Sequence, residues 1–154
     1  MAINIRAKGQ NGEREVAAIL EEIIRDALKH HKIEPPDIQI VQRNQNQSAV
    51  GGGDLTNTCG LCVEVKRHEN LAINTWWKQC VASAERNDEI PCLFYRQNRQ
   101  PWRVRILVET GTPELDTFFI KLPVTMELED FKKWFKAYAY YWIFYSNGLK
   151  SFKL

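Results

Sequence analysis

Asp54, Glu64 and Lys66 are the residues whose types and spacing most directly suggest chemistry, in Gly51-Gly52-Gly53-Asp54-Leu55 and Leu61-Cys62-Val63-Glu64-Val65-Lys66. Leu61, Val63 and Val65 alternate with Cys62, Glu64 and Lys66, the period-two pattern of a strand with one buried face. Glu64 and Lys66 therefore point the same way, one pleat apart. An acid opening a neighbouring strand, Asp54, brings two carboxylates and an ammonium to one point. That grouping can hold a divalent cation and a water beside a phosphodiester. Glu-x-Lys alone is weak evidence, because chance supplies one in about every second chain of this length and charge content.

The elements that must position these residues begin with a helix predicted from about Gly12 to His31. Val16, Ile19, Leu20, Ile23, Ile24, Ala27 and Leu28 form its apolar stripe. Glu13 falls on that stripe, whereas Arg14 and Glu15 fall off it. A carboxylate on an inward face needs a salt bridge or a cation, and the helix pattern leaves both open. Pro35-Pro36 ends the segment, and Ile38–Gln42 is expected as the first strand. The polar run Arg43–Ser48 reads as a surface loop or an arm that contacts DNA backbone through Arg43 and its amides. Gly51–Gly53 permits a tight turn or a close backbone approach. It lacks the lysine and helix start of a phosphate-binding loop, which excludes a nucleotide site of that kind.

Further strands are expected at Asp54–Thr56, Leu61–Arg67, Pro91–Arg96 and Trp102–Val108, with a helix capped by Asn74 or Thr75 and running to about Arg86. A last helix, capped by Thr125 and running to Tyr145, carries Leu128, Phe131, Phe135, Tyr138 and Trp142 in one stripe, flanked by Trp134, Tyr141 and Tyr145. One face should pack on the domain, and the remainder suggests a dimer contact or base stacking. The whole describes an α/β fold with a mixed β-sheet flanked by helices and an aromatic-rich C-terminal helical extension. It is read as a single domain over residues 1–154, with a core at about 8–108.

Composition agrees with a globular chain: 44% of residues are apolar and 26% charged. No apolar run reaches membrane-span length and the N-terminus has no signal-peptide layout, so the cytoplasm is the expected location and no membrane partner is expected. The net charge of +2 permits nucleic-acid binding without requiring it. Basic clusters stand at Lys66-Arg67-His68, Arg96 with Arg99, Arg103 with Arg105, and Lys132-Lys133-Lys136. Cys59-Gly60-Leu61-Cys62 lacks a second close pair and the strand-to-helix setting of a redox site, so reduced thiols are expected.

Together, Lys8-Gly9-Gln10-Asn11-Gly12-Glu13-Arg14-Glu15-Val16, Gly53-Asp54-Leu55 and Val63-Glu64-Val65-Lys66 resemble the Holliday-junction resolvase branch of the PD-(D/E)XK nuclease superfamily, found in archaea and bacterial viruses. The match runs from residue 8 to about 106. The resemblance implies a restriction-endonuclease-like fold and Glu13, Asp54 and Glu64 as ligands of Mg²⁺ or Mn²⁺, with the Val65 carbonyl as a further ligand. It also implies Lys66 as catalytic lysine, Gln79 as a residue positioning the nucleophile, and a homodimer acting on a four-way DNA junction. Arg14 and Arg67 are expected at phosphates beside the site. The substrate expected is branched DNA, cut by metal-dependent hydrolysis in DNA recombination and repair. The alternatives are a restriction-like or repair nicking relative, or a DNA-binding module that does not cleave. Asp54 follows glycine where the superfamily name expects proline, and the residues after Val108 exceed the compact form.

Overall fold

In the computed structural model, which describes residues 4–45, 52–111 and 119–154, helix α1 (Ile5–His30) begins earlier than its apolar stripe requires. The Asn4 side chain caps it, accepting the Ala7 N–H at 3.1 Å. Lys8 and Gly9 are thus helical, a correction to the expected start at Gly12. Of the stripe, Val16, Leu20, Ile24, Ala27 and Leu28 are buried, and Ile19 and Ile23 are half-buried.

Ile38–Val41 is not a strand. Ile40 and Val41 are buried, but their N–H groups donate to Glu21 Oε1 at 2.7 and 2.8 Å. A carboxylate on α1 has taken the donors that a neighbouring strand would accept. Arg25 holds Glu21 at 2.9 Å and donates to the Pro36 and Ile38 carbonyls, fixing the segment. Only β1 (Gln42–Arg43) pairs, antiparallel with β2 (Leu55–Thr56). Of the expected Arg43–Ser48 loop, residues 46–48 lie outside the described residues, as does Gly51.

The main sheet has the order β3 (Leu61–Arg67), β4 (Ile90–Arg96), β5 (Arg103–Gly111), β6 (Phe119–Glu127). β4 runs parallel to β3, with Glu64 opposite Leu93, and the other pairs are antiparallel. The parallel step is bridged by α2 (Ile73–Asn87), whose N-cap is Ala72. Asn74 and Thr75 therefore sit inside the helix and do not cap it. β6 is an addition to the expected strands. Thr125 mimics a helix cap, yet the strand continues to Glu127 and α3 (Leu128–Tyr145) follows directly. β6 lies on the sheet edge, where Pro123 is tolerated despite its missing N–H.

Val63, Val65, Phe94, Val104 and Ile106 pack with α1 and α3. The alternate residues Leu93 and Tyr95 pack with Trp76 and Cys80 of α2. In α3 the buried line is Phe131, Phe135, Ala139 and Ile143, with Leu128, Tyr138 and Trp142 only partly covered. Phe131 meets Phe94 edge-on at 4.9 Å. Tyr140, Tyr141, Phe144 and Tyr145 remain exposed. All four cysteines are free and buried. Among the described residues no helix is long and apolar enough to cross a membrane.

Candidate active site

Among the described residues no strand pairs with the outer edge of β3 beside Val63 and Val65. Asp54 satisfies this edge: its N–H donates to the Val63 carbonyl at 2.7 Å, and its Oδ2 accepts the Val65 N–H at 2.7 Å. Such an approach brings main chain against main chain. A Cβ added to Gly53 would lie 2.5 Å from the Val63 oxygen and 2.8 Å from its nitrogen. Glycine before the acid is therefore a steric requirement of this edge. Asn44 secures the segment, its N–H donating to the Asp54 carbonyl at 2.8 Å and its amide to the Gly53 carbonyl at 3.0 Å.

Asp54 is thereby held beside Glu64. Partial burial pushes the Glu64 carboxyl up to about 8; the Asp54 charge and a hydrogen bond with Asp54 add to the rise, Glu13 contributes a little, and Lys66 opposes it. The pair is consequently a site of crowded negative charge that a proton or a cation relieves. In a strand, the N–H and C=O of one residue share an edge, so the Val65 carbonyl points out beside Asp54.

α1 packs on β3 around Gly12, where an added Cβ would stand at ordinary contact distance, 3.4 Å from Trp102 and 3.5 Å from Val65. Glu13 follows at the margin of this contact, where its Oε2 pairs with Arg43 Nε at 2.6 Å. Two residues expected in separate roles, ligand and DNA contact, thus neutralise each other. Among the described residues no group of three or more His, Cys, Asp or Glu side chains forms a ready-made cation cluster. Asp54, Glu64 and the Val65 carbonyl nevertheless offer hard oxygen donors, a set that fits an ion completing its shell with water and phosphate oxygens.

The remaining expected residues are dispersed around this centre. Gln79 is exposed on α2, one residue before buried Cys80. Arg14 is exposed and donates to Asn11 Oδ1 at 3.1 Å. Arg67 pairs with Glu15 at 3.5 Å. Glu15 is an organising group that sequence reasoning misses. It also faces Arg96 at 3.5 Å and accepts the Trp102 indole N–H at 3.1 Å, while Arg96 lies over the Trp102 ring. Its position off the apolar stripe gives no sign of this, and only the alternating charges of Glu13-Arg14-Glu15 hint at more than a solvated turn.

The family comparison places this chain in a nuclease class. Residues 4–143 match the family model described as "Phage putative PDDEXK endonuclease", and the chain belongs to this family. Protein D14 of Escherichia phage T5 is 24% identical over 146 residues, covering 84% of this chain and 86% of that protein. Among solved structures, the Holliday junction resolvase Hjc of Archaeoglobus fulgidus aligns with a TM-score of 0.45 at 16% identity, over 82% of this chain and 96% of that one.

Proposed function

We propose that this chain is a divalent-cation-dependent endonuclease that hydrolyses phosphodiesters in branched DNA, with four-way junctions as its preferred substrate. The observation that carries the reading is the Asp54–Glu64 pair at the β3 edge, with Lys66 one pleat further on the same face. Membership of an endonuclease family supports the reaction class. The junction preference rests on the resemblance carried by Lys8–Glu15.

In this reading Asp54, Glu64 and the Val65 carbonyl hold Mg²⁺, or Mn²⁺ in its place, and Glu13 joins them on leaving Arg43. When bound, such a cation acidifies a water and offsets charge on the phosphoryl oxygens. Glu64 gives up its proton as the site fills. Lys66 donates to the attacking water or to a phosphoryl oxygen as charge develops. Gln79 orients the nucleophile from α2, and Arg14, Arg43 and Arg67 contact phosphates. The whole chain works as one nuclease unit. A homodimer, joined through the exposed Tyr140, Tyr141, Phe144 and Tyr145, presents two sites to opposite strands. Its phage relatives support action inside the host cell, in the cytoplasm.

Purified protein offered four-way junction, plain duplex and single-stranded DNA, with Mg²⁺ or chelator, tests this. Paired symmetric cuts on the junction alone support it. Equal cutting of plain duplex would instead indicate a nicking or restriction-like enzyme, and binding without any cleavage a DNA-binding module.

A further inference from the structure

A cleft of about 580 Å³ opens beside the C-terminal end of β3, lined by Lys8, Asn11, Arg67, Glu69, Asn98 and Arg99 among others. Lys8 shares a helix face with Gly12, one turn away. A Cβ on Gly12 would stand 3.7 Å from the Arg67 Cβ. The cleft therefore continues the line of β3 outward from Lys66, through Arg67, to the β4–β5 turn that carries Arg99.

Charge in the cleft is one-sided. Three cations line it against one acid, and the Glu69 carboxylate is already engaged by the Asn98 amide. Gln97 fixes the same corner, donating to the Glu69 carbonyl at 2.7 Å. Arg67 is braced from behind by Glu15. Among the described residues, neither Lys8 nor Arg99 has an ion-pair partner. Ala7 is the one apolar residue of the lining, and the others carry cations, amides and the Glu69 carboxylate. Cations interleaved with amides are the groups that contact a nucleic-acid backbone.

We propose that this cleft is a second DNA-binding element, in which Lys8 and Arg99, with the amides of Asn11 and Asn98, grip phosphates flanking the scissile one on the strand being cut. The proposal rests on the reading of the chain as a DNA nuclease. Within it, the cleft fixes the direction in which the strand leaves the Asp54–Glu64 pair: past Lys66 and Arg67, along the amino-terminal turns of α1.

The test is binding without catalysis. Fluorescence anisotropy in EDTA compares the wild type, Lys8→Gln/Arg99→Gln, and a control, Lys132→Gln/Lys133→Gln, on labelled four-way junction and duplex. Both double variants remove two positive charges from exposed or half-buried positions, and thermal melting checks that each is folded. The cleft variant is expected to bind about tenfold or more weakly at ~0.1 M salt. The slope of log affinity against log salt should fall by about two, one for each phosphate no longer neutralised, with the control near wild type. Equal losses in both variants would reduce the effect to net charge and overturn the cleft, as would wild-type affinity in Lys8→Gln/Arg99→Gln. If the wild type binds neither DNA, the nuclease reading fails with it. If the wild type binds and cuts while the cleft variant matches it, only the cleft fails.

Discussion

Two carboxylate centres flank β3, and they are built on opposite principles. At its outer edge Asp54 and Glu64 are crowded together, with Lys66 offsetting only part of the repulsion. At its C-terminal end Glu15 stands alone among Arg67, Arg96 and the Trp102 indole. At the Glu15 centre every contact joins a carboxylate to a cation or an N–H donor, and these contacts tie α1 to β3, β4 and the start of β5. The edge pair is imbalanced, a cost that folding alone does not recover and that a bound cation would remove. Carboxylate set against carboxylate in a partly desolvated place separates a site from a brace.

The largest effects should come from the imbalanced centre. Glu64→Ala or Lys66→Ala is expected to lower junction cleavage by on the order of a thousandfold, while junction binding in Ca²⁺ stays near wild type. Cleavage undiminished in single-turnover assays would remove both from the site. Gly53→Ala comes next. Its methyl would meet the Val63 main chain, so the edge must open, with a loss of about 2–4 kcal/mol in urea unfolding and loss of cleavage. A variant as stable and active as wild type would show that the edge can relax.

The brace should respond differently. Glu15→Gln leaves two arginines facing a neutral group, and with Glu15 partly exposed the expected loss is about 1–2 kcal/mol. That loss should appear in thermal melting without abolishing cleavage. Unchanged stability would mean that the two arginines are held by packing alone.

Opposite in sign is the effect of Glu64→Gln in chelator. The folded-state pKa of Glu64, about 8, lies above its ordinary value of 4.5. Its contribution to stability is therefore fully present below pH 4.5 and is lost as pH rises through 8. Chelated wild type should lose stability across that window relative to Glu64→Gln, by roughly 2–4 kcal/mol at pH 8. Melting curves from pH 5 to 8.5 that run parallel for the two proteins would contradict the crowding.

The two centres also differ in how far the amino-acid sequence reveals them. Strand β3 is legible because Leu61, Val63 and Val65 alternate, and α1 because its stripe repeats over several turns. Gly53 is legible as a site of close backbone approach. The groups that override local pattern are not. Glu21 replaces a strand partner for Ile40 and Val41, which no property of Ile38–Gln42 could disclose. Arg43 reaches Glu13 across 30 positions, and Trp102 reaches Glu15 across 87. Spacing supplies candidates for the acids at the site, and the tertiary partners decide how each is used: Glu13 is paired away by Arg43, whereas Glu64 is left crowded.

The central claim is that Asp54 and Glu64 jointly hold a divalent cation. Calorimetric titration of Mn²⁺ into wild-type protein at pH 7.5, repeated in buffers of different ionisation enthalpy, tests it most directly. The expected result is binding with net proton release in wild type, and loss of that binding in both Asp54→Asn and Glu64→Gln. Mn²⁺ binding of unchanged affinity and proton count in the two variants would contradict it.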